Sequence, residues 1–377
     1  MSGVQLHILH SLNPATGGPA ESQRQICACL ARSGVPVEAI TLDAPEAAWR
    51  EKWAVPVTAL GGRGQYGWTP RLTALLRQRE SELGSVFIHG LWQWQGLGAW
   101  LALRRSRVPY FVFPHGMLDP WFREAFPLKH ARKSLYWRLC EQRVLRDSAG
   151  VIFTSEEERT LGRATFSPWP VRHERIIPLG CAAPPQPSDE LRERFFQRFP
   201  ELRGKRLLLF LGRLHEKKGC DLLIEAFRQV GTPLHLVLAG PCDDTALESR
   251  LRKAAEGLPA TFAGPLWDDD KWGALAAAEA FILPSHQENF GIAVVEALAA
   301  GTPVLISRKV NIWREIVESG AGLAEEDSAE GTARLLTRWL AADQAAMRAA
   351  APRCHAERFD IRQTAAALVK LTSDTRP

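Results

Sequence analysis

LPSHQENFGIAVVEALAAGTP, residues 283–303, runs from the end of an apolar strand, through a loop carrying Glu288, into a helix carrying Glu296. Pro284 and Ser285 stop the strand, and Ile292, Val295, Leu298 and Ala299 then recur at helical spacing until Gly301 offers a left-handed cap. That pattern predicts a helix starting near Phe290. Its first amides, from Asn289, Phe290 and Gly291, would have no intrahelical acceptor and would face outward with the positive end of the helix dipole, an arrangement that binds anions. Seven residues separate Glu288 from Glu296. At about 1.5 Å per residue, their carboxylates lie on the order of 10–12 Å apart, enough for a diphosphate to lie between groups that each carboxylate could meet.

Working outward, residues 207–227, LLLFLGRLHEKKGCDLLIEAF, place Gly212 and Arg213 at a strand end, Lys218 five residues later, and a helix from about Asp221. Strand, short basic loop and helix form a phosphate-binding design, in which a guanidinium clamps two oxygens and an ammonium a third. Lys217 is less well placed than Lys218. Short apolar runs alternate with helical patterns over the whole chain. Val4 to Leu9, Val37 to Leu42, Val86 to His89, Tyr110 to Pro114, Val151 to Thr154 and Ile176 to Leu179 read as one strand series. Leu207 to Leu211, Leu234 to Ala239, Ala260 to Gly264, Phe281 to Leu283 and Val304 to Ile306 read as a second. The expected fold is α/β, with two doubly wound Rossmann-like domains and a ligand cleft between them at the carboxyl ends of the strands. The proline-rich stretch Pro178 to Asp189 reads as the connector.

The segment around Glu288 and Glu296 closely resembles the signature of retaining glycosyltransferases of the two-Rossmann-domain (GT-B) kind, specifically family 4. The resemblance covers nearly the whole chain, strongly over residues 205–305 and more loosely before residue 120. It implies an N-terminal acceptor-side domain at 1–183, a nucleotide-sugar domain at 184–357, and a last helix at 358–377 crossing back to the first domain. By this resemblance Arg213 and Lys218 clamp the donor diphosphate, together with the amides of Asn289, Phe290 and Gly291. Glu288 contacts the sugar and Glu296 the ribose diol. Gly264 and Leu266 hold the base through main-chain groups. In NPATGGPAESQRQI, residues 13–26, Gly17 and Gly18 resemble the family's glycine loop near the diphosphate.

Two histidines follow strand ends in the first half. In FVFPHGMLDPW, residues 111–121, the His115–Gly116 pair resembles the family's sugar-contacting histidine, which places His115 with Glu288, Arg213 and Lys218 as catalytic candidates. His89, before Gly90, is expected on the acceptor side or in the core. Asp119 is expected either to contact the acceptor or to cap locally. No pair of carboxylates that would straddle an anomeric carbon can be identified, so the resemblance favours front-face transfer, with a donor phosphate oxygen taking the acceptor's proton. Asp268, Asp269 and Asp270 contain a D-x-D by letter but precede a helical pattern and read as helix capping. No metal and no cofactor are expected beyond the nucleotide diphosphate sugar that serves as donor substrate.

The function so implied is transfer of a hexosyl unit to the hydroxyl of a glycan or lipid-linked glycan, in exopolysaccharide, capsule or lipopolysaccharide synthesis. The alternatives are a nucleotide-sugar epimerase of the same fold and a non-catalytic nucleotide-sugar-binding protein. Residues 1–180 carry 22 basic and 15 acidic side chains, about +7, against 25 and 27 in residues 181–377. Much of the excess lies in residues 121–147, where seven basic residues are interleaved with aromatic and leucine side chains. That stretch suits either a core helix with a solvated basic face or the surface of an anionic membrane. It contains no nucleic-acid recognition module. Seven scattered cysteines without a C-x-x-C pair, and no apolar run of membrane-spanning length, imply a cytoplasmic protein, with the inner face of the cell membrane as one place of work.

Overall fold

The computed structural model describes residues 3–13, 18–121, 123 and 126–375. They divide into two compact units, residues 1–180 with 361–377, and residues 181–360. In the first unit, β1 (Val4–Leu9), β2 (Val37–Thr41), β3 (Val57–Ala59), β4 (Leu83–His89), β5 (Tyr110–Phe113), β6 (Gly150–Phe153) and β7 (Glu174–Ile176) form one sheet. Its order is β3-β2-β1-β4-β5-β6-β7, and every pairing is parallel. Strand order reverses between β1 and β4, the point at which an open α/β sheet leaves a crevice at its carboxyl edge. One face buries Leu6, Ile8, Ile88 and Val112 in the main core. Each such side chain contributes roughly 1.5–3 kcal/mol.

In the second unit, β8 (Leu207–Leu211), β9 (His235–Ala239), β10 (Ala260–Gly264), β11 (Ala278–Leu283), β12 (Val304–Ser307) and β13 (Gly322–Glu325) are ordered β10-β9-β8-β11-β12-β13, again all parallel. The reversal falls between β8 and β11. Strands buried on both faces need continuous apolar runs, and LLLFL in β8 and AFIL in β11 supply them. The two doubly wound sheets are those expected from the alternation of strand and helix patterns.

Three elements depart from the sequence reading. β3 and β13 were not anticipated: β3 has only three residues, and GLAE in β13 contains no β-branched residue. β13 exists because Gly322 lets the strand come close, where a Cβ would lie 2.2 Å from the Val304 carbonyl oxygen. β7 pairs over Glu174–Ile176 rather than Ile176–Leu179. The apolar Ile177 and Leu179 are buried beyond the strand, so their pattern reported burial and not pairing. The C-terminal helix Ile361–Asp374 belongs to the first unit, where Thr364 Oγ1 donates to the Pro178 carbonyl at 2.8 Å.

Candidate active site

At the carboxyl edge of the second sheet, tight backbone approaches bring four strand ends together. Gly212 follows β8 and donates its N–H to Ala239 O at 2.9 Å, while Gly240, after β9, donates to Gly264 O at 2.9 Å. Gly240 has a positive φ of 143°, and a Cβ there would stand 1.9 Å from Gly212 O, so only glycine lets these loops touch. The basic loop then makes a 3₁₀ turn, Glu216–Lys218, capped by His215, whose ring nitrogen accepts from Lys217 N. Gly219 ends the turn at φ 67°, and its Cβ would lie 2.2 Å from Pro284 O. His286 N donates to Lys217 O at 2.9 Å. The β8 loop and the β11 loop are therefore fixed against each other.

Glu288 is held by its backbone. Its N–H donates to Lys309 O at 2.9 Å and its carbonyl accepts from Asn311 N at 3.0 Å, a short parallel bridge next to β12. Its carboxylate pairs with the Lys218 ammonium, both side chains about one-fifth exposed. Arg213 is exposed and makes no hydrogen bond or ion pair with the described residues. The helix that follows spans Ile292–Ala299, with Gly291 as its N-cap at φ 75°. It begins two residues later than expected, because Phe290 is turned inward: the ring is 4% exposed and meets Phe359 edge-on at 5.8 Å. The first turn of this helix thus presents the amides of Ile292 and Ala293, directly after the expected ones of Asn289, Phe290 and Gly291 in the preceding loop. Asn289 Oδ1 accepts from Asn311 Nδ2 at 3.4 Å.

Glu296 is on the same helix but is 2% exposed, and Lys271 Nζ lies 2.6 Å from Oε1. Each expected carboxylate thus faces its own ammonium, and Lys271 was not anticipated. Burial, and then the Glu296 charge, push the nearby Cys181 thiol well above its ordinary range. Leu266 is buried, while Gly264 sits at φ 69° with open space where a side chain would be. Asp268, Asp269 and Asp270 form the first turn of the Asp268–Ala277 helix, and none caps it: the N-cap is Trp267, without a side-chain bond. Asp269 Oδ2 instead accepts from Arg194 at 2.5 Å, and Asp270 pairs with Arg198, tying this helix to Ser188–Arg198.

In the first unit, Gly17 lies outside the described residues, and Gly18 is already the first residue of the helix Gly18–Arg32. His89 ends β4, buried, and His115 follows β5, largely buried, with a positive φ of 51°. Their rings are hydrogen bonded, His89 Nδ1 to His115 Nε2, at 3.0 Å. The turn after His115 is fixed by buried Glu158, which accepts from Gly116 N at 2.6 Å and from Thr154 N at 2.6 Å. Sequence reading missed Glu158, whose only visible signal is its place three residues after the capping Ser155. Asp119 is 7% exposed and accepts from Trp121 N at 2.8 Å, a local turn cap.

Two descriptions of known proteins cover most of this chain: residues 17–180 match the glycosyl transferase 4-like domain, and residues 192–352 match the glycosyl transferases of group 1. The chain belongs to the GT-B glycosyltransferases. Among GT-B structures, HepE of Anabaena in complex with UDP superposes with a TM-score of 0.79 at 17% identity, covering 99% of this chain and 100% of that one. Sucrose-phosphate synthase from Thermosynechococcus elongatus gives 0.74 at 20% identity, covering 99% and 98%. At these identities the likeness is one of fold.

By sequence, mannosylfructose-phosphate synthase of Agrobacterium fabrum is 35% identical over 141 residues, 34% of this chain and 31% of that protein. A GDP-mannose-dependent α-(1-6)-phosphatidylinositol dimannoside mannosyltransferase of Mycobacterium tuberculosis is 35% identical over 131 residues, 34% and 33%. These matches span about a third of each relative's length. D-inositol 3-phosphate glycosyltransferase of Corynebacterium urealyticum is 25% identical over 308 residues, 78% of this chain and 72% of that protein.

Proposed function

We propose that this GT-B protein transfers a hexosyl unit from a nucleotide diphosphate sugar to the hydroxyl of a glycan or lipid-linked glycan, with retention and without a metal. The observation that carries the reading is the meeting, where strand order reverses between β8 and β11, of exposed Arg213, the Lys218–Glu288 pair and the start of the Ile292–Ala299 helix. Arg213 and Lys218 take the diphosphate, and the outward amides at the helix start, where Gly291 is the cap, absorb charge as it leaves. Lys218 then gives up Glu288, whose carboxylate becomes free to accept from sugar hydroxyls. Glu296 holds the ribose diol, with Lys271 orienting it. The base meets the backbone at Gly264 and Leu266. His115 contacts the sugar, and a donor phosphate oxygen takes the acceptor's proton. That HepE was crystallised with UDP and that one relative is named as GDP-mannose-dependent support a nucleotide diphosphate donor.

Incubating the protein with a panel of UDP- and GDP-sugars and following the products by mass spectrometry tests this. Slow donor hydrolysis or transfer is expected, and Glu288→Ala should abolish it. A folded Glu288→Ala variant with the parental rate refutes the assignment.

The same reading places the protein at the inner, anionic face of a membrane. The helix Pro127–Tyr136 buries none of its residues, and Phe126, Leu128, Leu135 and Leu139 are 51%, 84%, 62% and 54% exposed among Lys129, Arg132 and Arg138. A core helix would not show this face; apolar side chains ringed by cations suit a bilayer surface carrying negative lipids. Phe122, Glu124 and Ala125 of the basic stretch lie outside the described residues. Among the described residues no helix is long and apolar enough to cross a membrane. Sedimentation with phosphatidylglycerol-containing vesicles should pellet the protein at low salt and release it at high salt; no salt-sensitive pelleting removes membrane contact.

A further inference from the structure

One face of the first sheet carries a line of hydrogen-bonded rings that ends at His115. Gln5 and His7 are two residues apart on β1 and so project from the same face. His7 is in register with Phe87 on β4, which puts Phe87 and His89 on that face, and Phe111 and Phe113 follow on β5. Gln5 Nε2 lies 3.3 Å from His7 Nε2, His7 Nδ1 lies 3.0 Å from His89 Nε2, and His89 Nδ1 lies 3.0 Å from His115 Nε2. Phenylalanines hold the imidazoles in place: His7 stacks on Phe87 at 5.0 Å, and Phe113 stacks on His89 at 5.0 Å and on His115 at 5.4 Å. Gln23 is also beside His7, but neither of its buried side-chain atoms closes a hydrogen bond, which leaves Gln5 as the partner at His7 Nε2.

Burial keeps all three rings neutral: His7 is lowered to about 3, His115 to about 4, and His89 well below its ordinary value. A neutral imidazole has one N–H and one lone pair, so a chain of such rings has a direction. The amide nitrogen of Gln5 can only donate. His7 Nε2 must therefore accept, and its proton sits on Nδ1, where it donates to His89 Nε2. His89 repeats the step toward His115 Nε2. The remaining proton of His115 is then on Nδ1, which makes no hydrogen bond with the described residues.

We infer that Gln5, His7 and His89 are positioning residues that lock His115 as the Nδ1–H tautomer, so that it offers the sugar a hydrogen-bond donor and never a base. This rests on the reading of His115 as a sugar contact. It also explains why the acceptor's proton must go elsewhere: a neutral ring whose Nε2 lone pair is occupied and whose Nδ1 is protonated cannot take it.

Imidazole ¹⁵N chemical shifts of the full chain, labelled at histidine and assigned through single substitutions, read the tautomer directly. In the parent at pH 7.5, His115 should show a protonated Nδ1 and an unprotonated Nε2. Gln5→Leu, which leaves the histidines intact, should relax His115 toward a mixture, and kcat for donor hydrolysis should fall on the order of tenfold with KM little changed, since a misplaced tautomer acts on turnover. His89→Phe should give the same signature without the relay. Gln5→Glu should reverse the line and move the His115 proton to Nε2. Finding His115 protonated at Nε2 in the parent, or unchanged in both Gln5→Leu and His89→Phe, overturns the inference. If His115→Ala instead transfers sugar at the parental rate, the sugar-contact role fails while the tautomer measurement still decides the relay.

Discussion

Glu296 and Lys271 give the most demanding test of how the second unit is built, because each partner comes from a different helix and the pair is almost entirely enclosed. Their side chains are 3% and 17% exposed, with nitrogen and oxygen 2.6 Å apart. Removing one member of a buried ion pair takes away the compensation that it gave the other charge and costs about 3–5 kcal/mol. Lys271→Met leaves the more deeply buried charge, so its cost should fall near the top of that range, about 4–5 kcal/mol. Glu296→Leu leaves an ammonium that reaches solvent and lies 5.3 Å from the Trp272 ring centroid. Its cost should be lower, about 3 kcal/mol. The double variant removes both charges, and replacing a buried pair by apolar side chains of similar volume is neutral or stabilising by roughly 1–4 kcal/mol. Thermal and urea unfolding should therefore place the double variant above either single, with Lys271→Met lowering Tm by about 8–20 °C at roughly 2–4 °C per kcal/mol. If the two single losses simply add in the double variant, the charges do not compensate one another and the argument fails.

Glu141, 1% exposed, accepts from Trp92 N at 2.6 Å, and burial raises its carboxyl from 4.5 to about 7. A raised carboxyl binds protons in the folded state that the unfolded chain has released, so stability falls as pH climbs from about 4.5 to about 7 and stays low above. Glu141→Gln should thus gain on the parent by up to ~3 kcal/mol between pH 5 and pH 8; a pH-independent difference would count against this. Gly240→Ala and Gly219→Ala would push a methyl to 1.9 Å and 2.2 Å from backbone oxygens. Each should cost upward of about 3 kcal/mol, whereas Gly231→Ala, at φ 60° with nothing within 4 Å, should cost only the left-handed penalty of about 1–2 kcal/mol. Equal losses at all three sites, measured by urea unfolding, would show that the close approaches are not the cause. Phe290→Ala should cost about 3–5 kcal/mol as a core truncation, and a surface-like loss below about 1 kcal/mol would contradict its inward orientation.

The sheets were legible because strands buried on both faces must be continuously apolar, and runs such as LLLFL leave few other readings. What escaped was set by the partner strand rather than by the segment itself. β13 is a strand because glycine admits Val304 O, and β7 is short because the chain leaves the sheet while its apolar residues are still needed inside. The strand, basic turn and helix of residues 207–230 were legible for a similar reason: Gly212 and Gly219 punctuate the turn between the two elements. The helix start was misplaced because Phe290 looks like a first-turn residue in sequence, whereas burying its ring against Phe359 outweighs extending the helix by two residues.

The ionic and histidine partners show the limit of one-dimensional reading most clearly. Glu288 and Glu296 were visible as a spacing, but the ammonium groups that face them come from positions 70 and 25 residues earlier, and no local pattern marks Lys218 for one carboxylate and Lys271 for the other. His7 stands between Leu6 and Ile8 in β1 and His89 ends the apolar run Val86 to Ile88 in β4, so the strand period alone says which side each faces. Their contact depends on β1 lying beside β4, 82 residues away, which is a property of sheet order. The same crossover that opens a crevice between β1 and β4 at the carboxyl edge therefore also sets the two histidines in line. A substitution that shifted the β1–β4 register by one residue would turn Gln5 and His7 to the opposite face and break the line at its source, without touching any residue at the edge itself.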